Sequence, residues 1–452
     1  EADGFRFDMG PSWYLMPDVF EHFFARLGER VADHLTLQRL SPSYRVFFAG
    51  EPEGWDFHSD VARDRAAFER LEPGSGQALD RYLRQAGDAY EAARQWFLYR
   101  NYDSVWDFFD RRALAAGRRF TVFSSMGRLV ARFFRSERVR QVMEYQLVFL
   151  GGSPANTPAL YQFMNHIDFA QGVFYPLGGF GDVIKALVRL ALRRGARLHL
   201  QAPVHRILVE AGKAAGVLLA DGTRVPADLV ISNADYAFTE RVLLERPYRV
   251  HDDAYWERRV MAPSALILYL GVKGRLPGLA HHNLLLSEPW EPHFREIFGD
   301  PRWPTDPSLY VCAPSVTDPS VAPAGHENLF VLVPIAAGLP HAAADVDWYK
   351  EKILLRLERC LRLPDLRERL VFQKAFCLRE FAERYHSYKG SALGFAHTFG
   401  QTAAFRPNNV SKKVRGLYFV GAGTNPGIGV PTCLVSAELA YKRIKGIHSP
   451  MP

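Results

Sequence analysis

Gly416-Leu417-Tyr418-Phe419-Val420-Gly421-Ala422-Gly423-Thr424-Asn425-Pro426-Gly427-Ile428-Gly429-Val430-Pro431 is the stretch on which the fold turns. An apolar strand over 416–420 runs into four glycines and two prolines, and the pattern predicts a helix over 433–444. Glycine lets backbone approach a ligand closely. The start of the helix aims N–H groups and the positive end of its dipole at the same place. The stretch suits a flat or charged ligand. It equally suits a plain strand-to-helix turn, and the residues alone leave both readings open.

Working outward, Pro176-Leu177-Gly178-Gly179-Phe180-Gly181 also precedes a helix, expected over 182–194 with Val183, Leu187, Leu190 and Ala191 on one face. Gly195 stops it. Strands follow at 197–200, 205–210 and 216–219, then a hairpin turn at Asp221-Gly222. The run 228–232 reads as a buried parallel strand. A third loop, Phe7-Asp8-Met9-Gly10-Pro11-Ser12, offers Asp8 as a ligand to a ribose or ring nitrogen, or as a turn cap. It is flanked by a strand-like pattern at 4–8 and a helix at 17–27. Alternating runs at 35–40, 44–48 and 55–57 read as an antiparallel sheet. Residues 60–150 carry helical periodicity. Strands at 265–272, 309–313 and 329–335 and a helix at 348–362 complete an α/β reading.

The 452 residues fit two or three interleaved domains. Hydrophobic residues at 48% and charged residues at 23% describe a soluble-type globular chain. The 32 Phe and 19 Tyr suit either a large apolar cavity or a Phe-rich core. A net charge of +7 points to an anionic partner. Without zinc-finger spacing, an aromatic RNP motif or a basic tail, lipid headgroups fit better than nucleic acid. Cys312, Cys360, Cys377 and Cys433 show no CxxC and read as reduced thiols, with no disulfide frame and no metal site. No apolar run approaches the roughly 18 residues that span a bilayer, and no signal peptide is evident. No Ser/His/Asp arrangement, HExxH or P-loop lysine is present. Hydride transfer would need none of these, because a cofactor carries that chemistry; a reduced flavin ring, with its negative charge, would suit the 421–431 loop.

Four segments, Gly4 to Phe24, Phe174 to Asp235, Gly400 to Asn409 and Gly416 to Ala440, together resemble the bacterial-type phytoene desaturase family of flavin amine-oxidase-like proteins. The resemblance implies a discontinuous Rossmann-like FAD domain at 1–30, 174–245 and 396–452. It further implies a mixed-sheet substrate domain at 31–59 and 246–395 and a helical region at 60–173. By motif position, Gly421, Ala422 and Gly423 would lie along the FAD pyrophosphate and ribityl chain. Gly429, Val430 and Pro431 would lie beside the isoalloxazine, Val204 at the adenine, and Asp8, Gly10 and Pro11 on the flavin side of the cavity. The family opens with a strand, a GxGxxG loop and a helix. GxGxxG does not occur in this sequence, which begins at Glu1 inside a strand-like pattern and so reads as lacking the N-terminal part of the FAD domain. Asn425 stands where His is expected in many relatives.

The implied substrate is a long apolar polyene, a C40 or C30 carotenoid precursor such as phytoene, with oxygen or a quinone as electron acceptor. Such a substrate resides in a bilayer, so an apolar tunnel and a peripheral membrane attachment in the cytoplasm are expected. Residues 111–140 hold nine Arg and one acid, Glu137, among Phe120, Phe123, Phe133 and Phe134. They read as an interfacial basic helix, or as an exposed basic helix packed by its aromatic side. Glu380 and Glu383 are candidates for proton handling, or members of a surface ladder with Arg379 and Arg384. A ketolase, oxygenase or isomerase of the same family, an amine oxidase, and a non-catalytic carotenoid- or flavin-binding remnant are the rival readings.

Overall fold

The computed structural model describes residues 1–51, 53–103, 124–340 and 342–449. Its largest element is a seven-stranded mixed sheet. In chain order the strands introduced here are β1 Leu37–Arg39, β2 Tyr44–Phe48, β3 Trp55–Phe57, β4 Phe174–Pro176, β5 Val204–Glu210, β6 Lys213–Leu219, β7 Arg224–Pro226 and β8 Val230–Ser232. They continue with β9 Ser264–Lys273, β10 His282–Leu286, β11 Leu309–Cys312, β12 His326–Ile335, β13 Leu370–Phe376 and β14 Leu417–Phe419. The large sheet runs β13-β9-β12-β11-β10-β2-β3. Only the β10–β2 pair in it is parallel.

Strand β9 shows why the run SALILYLGVK has no polar alternation. Its side chains alternate between two cores, as a strand covered on both faces requires. Leu266, Leu268, Leu270 and Val272 pack toward the helix Ala343–Cys360, with its Tyr349, Ile353 and Leu357. Ala265, Ile267 and Tyr269 face the opposite way. They join a core shared with the helices Val61–Leu71, Ser75–Ala92, Met126–Phe133 and Glu137–Glu144. Ser75–Ala92 contributes Ala78, Leu79, Tyr82, Leu83, Ala86 and Ala89, spaced three and four apart along one helix face. This second core also holds Phe57, Phe68, Tyr90, Phe134, Phe163 and Phe169, so aromatic richness here builds a packed interior.

The smaller sheets differ from expectation in instructive ways. β8 and β14 pair in parallel, from Leu417 against Val230 to Phe419 against Ser232. β5, β6 and β7 form an antiparallel meander. No strand forms at 197–200, where Leu198 and Leu200 are exposed, Leu200 by 77%. Among the described residues β8 has β14 as its sole neighbour, and Ile231 is 47% exposed, so the strand is parallel but not buried. β1 joins β4 rather than β2 and β3, because Leu37 to Arg39 lie against Pro176 to Phe174. Residues 4–8 are no strand of the sheet either. Phe5 and Phe7 instead pack their rings on Phe372, at 6.3 and 5.6 Å, and Phe7 on Tyr269 at 5.5 Å. Strands β10 and β13 and the helix Leu378–Tyr385 were not foreseen.

Between sheet and helices lies a buried carboxyl. Asp168 Oδ2 accepts from Tyr44 Oη at 3.0 Å, Tyr145 Oη at 3.1 Å and Gln146 Nε2 at 2.8 Å. Burial raises it to about 7, against the lowering by its two tyrosine donors. An unfolded Asp titrates near 4 (~3.9). The folded protein thus holds a proton that the unfolded chain releases between about pH 4 and pH 7, and stability falls as pH rises through that window. Asp168→Asn keeps an acceptor for both tyrosines and removes the titration. Its thermal midpoint is expected to be flatter than wild type across that window, with a difference of up to about 4 kcal/mol in stability. Equal slopes for the two proteins would rule out Asp168 as the source.

Candidate functional site

Two carboxylates hold the turn Gly178 to Gly181. Asp8 Oδ2 accepts from Phe180 N at 2.8 Å and Oδ1 from Gly181 N at 3.1 Å. Asp318 Oδ2 accepts from Gly178 N at 2.7 Å. Asp8 therefore caps the helix Phe180–Arg193 from 172 residues away, a favourable place for a negative charge. Burial nonetheless raises its carboxyl above the ordinary range, with the two amides pulling it back down. A side chain at Gly179 would put its Cβ 2.7 Å from that carboxylate, and the glycine has φ +84°. The turn must be glycine for the capping to occur.

The 395–431 region forms a second knot. Arg406 is 3% exposed. Its Nη2 donates to Ala422 O at 2.7 Å and Phe395 O at 3.2 Å, its Nε to Thr424 O at 3.1 Å, and its Nη1 to Gln401 O at 3.5 Å. Thr424 Oγ1 donates to Pro407 O at 2.8 Å, and Gly421 N to Ser436 Oγ at 3.0 Å. Ile428 N donates to His397 Nε2 at 3.3 Å. That leaves Nδ1 to carry the proton of a neutral ring and to donate to Tyr161 Oη. Tyr161 Oη in turn donates to Thr402 Oγ1 at 2.6 Å. Burial drives His397 well below its ordinary value, in keeping with that tautomer. Gly427, with φ +131°, would drive a Cβ to 2.3 Å from His397. Gly429 opens the helix Val430–Lys445 with φ +125° and no side-chain cap.

These knots meet. Tyr14, Phe20 and Phe24 of the first segment pack with Phe180, Val183 and Leu190 of the second and Leu434 of the fourth, with Val430 against them. His22 Nε2 and Glu438 Oε2 lie 2.9 Å apart. Tyr236, just after the second segment, donates its Oη to Asn408 O of the third at 3.1 Å. The first segment also reaches the large sheet. Trp13 stacks on His282 at 4.2 Å and 8°, and Tyr310 Oη lies 2.7 Å from both Ser12 Oγ and His282 Nδ1. His281, His282 and Cys312 each bring a donor atom within 4.8 Å of the others, all buried. They are one N,N,S set able to hold a soft cation. Sequence spacing does not reveal it, because its donors lie at the start of β10 and the end of β11. Burial keeps its members neutral, with His281 down to about 3 and the Cys312 thiol up to about 12. All four cysteines are free.

Of the residues expected to hold a cofactor, Gly421, Ala422, Gly423, Gly429, Val430 and Pro431 surround the Arg406 knot and the helix start. Asp8 is occupied as a helix cap, while Gly10 has open space where a Cβ would stand and Pro11 is exposed. Val204 begins β5 opposite Leu219, in the meander. Glu380 Oε2 accepts from Cys377 N at 2.8 Å and Oε1 pairs with Arg379 at 3.0 Å, while Glu383 is exposed. Both lie on the short helix Leu378–Tyr385, Glu380 half-buried as its N-terminal cap. The basic stretch is corrected in part. Residues 111–123, with Phe120 and Phe123, lie outside the described residues. Phe134 is buried against Phe68 and Tyr82, and Phe133 packs on Tyr82 at 5.3 Å. Phe134 thus serves the core and Phe133 is half-buried against it, while Arg128, Arg132 and Arg135 are exposed. A cleft of about 510 Å³ is lined by Phe238, Arg241, Arg249, Tyr388 and Lys389, too charged to be the expected apolar tunnel. Arg406 and His397, which organise the loop, were missed. The only sequence sign was an arginine set among Ala403, Ala404, Phe405 and Pro407.

An unpaired guanidinium behind a glycine loop and an uncapped helix start fit a cofactor that carries negative charge. The chain belongs to the family of flavin-containing amine oxidoreductases, whose profile matches residues 1–444. It is 46% identical to a carotenoid 3,4-desaturase of Haloarcula japonica, over 97% of this chain and 88% of that one. A zeta-carotene-forming phytoene desaturase of Myxococcus xanthus is 37% identical, over 98% and 86%. A 4,4'-diapolycopene oxygenase of Methylomonas sp is 32% identical, over 98% and 89%. The fold is shared with an oxidoreductase of Methanosarcina mazei at TM-score 0.60, 19% identity and coverage of 98% and 90%. It is shared likewise with the cyclohexylamine oxidase of Brevibacterium oxydans at TM-score 0.56, 13% identity and coverage of 97% and 88%. The protein is a flavin-dependent oxidoreductase, and FAD is its cofactor.

Gly427→Ala tests the knot. A Cβ there must displace His397 or the loop, at a cost in backbone strain as well. The variant is expected to retain less than about a tenth of the flavin per chain, a loss worth at least about 1.4 kcal/mol in affinity, read by absorbance of the purified protein. Wild-type flavin content would disconnect this glycine from cofactor binding.

Proposed function

We propose that the protein desaturates a long apolar polyene, a C40 or C30 carotenoid precursor such as phytoene. The observation that carries this reading is the match along nearly the whole chain to relatives named carotenoid 3,4-desaturase and phytoene desaturase. FAD supplies the two-electron acceptor for removal of a hydride and a proton from adjacent CH2 groups. Gly421, Ala422 and Gly423 would hold its pyrophosphate and ribityl chain, Gly429, Val430 and Pro431 its ring system, and Val204 its adenine. Asp8, Gly10 and Pro11 would border the same cavity, Asp8 by fixing the Gly178 turn. In this reading 1–30, 174–245 and 396–452 serve the cofactor, 31–59 and 246–395 the substrate, and 60–173 form the helical cover. Oxygen or a quinone reoxidises the flavin.

Incubation of the purified protein with FAD and phytoene in liposomes is expected to yield products absorbing at longer wavelength, each lighter by two hydrogens per step. Products carrying added oxygen at unchanged hydrogen count would favour the oxygenase reading, which the relative from Methylomonas supports. No conversion of phytoene or its C30 analogue would remove the proposal.

Attachment to the membrane is proposed to be peripheral. No helix among the described residues is long and apolar enough to cross a bilayer. With Phe133 and Phe134 turned inward, attraction rests on the exposed Arg128, Arg132 and Arg135 at about 1 kcal/mol each near an anionic surface. The protein is expected to float with anionic vesicles at low salt and to stay behind with neutral vesicles or at high salt. Absence of flotation at low salt would exclude this attachment.

A further inference from the structure

We infer that Arg406 supplies the positive charge that favours the reduced, anionic flavin ring over the oxidised neutral one, and so raises the potential of the cofactor. This rests on the reading of 421–431 as the flavin loop. The geometry is specific. Arg406 is buried, and it donates to the main-chain carbonyls of Phe395, Gln401, Ala422 and Thr424, none of them charged. Among the described residues it makes no ion pair with a carboxylate. The titratable groups around it are Tyr161, Tyr255, Cys433 and His397. Burial holds each of these in its neutral form, with Tyr161 up to about 12 and Cys433 up to about 11.

Among the described residues the other buried cation, Lys442, lies 3.4 Å from Glu438, and the half-buried Arg443 lies 2.7 Å from Asp103. A buried charge without a counter-charge is costly, so one held only by carbonyl dipoles points to a negative partner that arrives from outside the chain. Two of those carbonyls, Ala422 and Thr424, belong to the loop itself, which places the guanidinium directly behind it. The loop then ends at Gly429, where the positive end of the helix Val430–Lys445 adds a field of the same sign. A hydride from the substrate brings two electrons and one proton to the ring. With the companion proton left to solvent or a base, the ring gains one negative charge, which both fields favour.

The test is a redox titration of the FAD-loaded protein against dyes of known potential. Arg406→Gln keeps donors for the carbonyls and removes the charge. It is expected to lower the reduced-to-oxidised ratio at a fixed dye potential at least tenfold, about 30 mV for a two-electron couple. Arg406→Lys is expected to recover most of the shift. Proton uptake by wild type is expected to be one proton per two electrons at neutral pH. An unchanged potential in Arg406→Gln, with weaker FAD binding, would assign Arg406 to loop structure or to the phosphates and overturn the inference alone. Two protons per two electrons in wild type would overturn it with no variant needed. Failure of wild type to bind FAD would remove the flavin-loop reading together with it.

Discussion

Everything in this molecule depends on carboxylates that reach across the sequence to hold a glycine turn by its amide hydrogens. Asp8 closes on Phe180 and Gly181, and Asp318 on Gly178. One comes from the beginning of the chain and the other from the connection between β11 and β12. Between them they fix the start of the helix Phe180–Arg193, whose inner face packs on Phe20, Phe24 and Leu434. Charge-assisted bonds at a helix start are among the stronger contacts available to a chain. Here the Asp318 bond is buried and the Asp8 bond to Phe180 partly so. The 421–431 loop is thereby held at a set position relative to the turn, because both lean on the same apolar cluster.

The second knot works by a different rule. Arg406 gathers four carbonyls and sends no bond to an acid, while His397 reads the Ile428 amide with one nitrogen and passes a proton to Tyr161 with the other. Every bond from Arg406 and the His397 bond to Ile428 are made to main chain, so the loop's shape depends little on which side chains it carries. A site of this kind separates scaffolding from specificity. Relatives named as desaturases and as an oxygenase are compatible with one such scaffold.

Local signals in the sequence were readable where one element decides its own state. The helix start at Pro17, the helix after the 421–431 loop (foreseen from 433, formed from Val430), the β6–β7 hairpin at Asp221-Gly222 and the parallel character of the 228–232 strand follow from period, glycine and apolar runs. What was not readable were states set by distant partners. The run 197–200 has strand composition but no neighbour to pair with among the described residues. Leu37 to Arg39 chose β4 over the adjacent β2 because pairing is a property of two segments. Residues 4–8 alternate like a strand, yet Phe5 and Phe7 are spent on ring contacts. Asp8 looked like a ligand or a cap, and only the Phe180 amide decides for the cap. The site glycines were legible as a group. Arg406 and the His281, His282 and Cys312 set were not, since their meaning lies in what surrounds them.

Strand β9 carries one last implication. Its even-numbered leucines belong to one interior and its odd-numbered residues to the other, so a single ribbon of backbone is wall to both rooms. Excision of the helical cover would strip Ala265, Ile267 and Tyr269 bare, and loss of the outer helix would do the same to Leu266, Leu268 and Leu270. Neither layer is a module that evolution or an engineer can swap by cutting at its sequence borders. New substrates must be accommodated by altering the side chains that line the rooms, with the shared wall left standing.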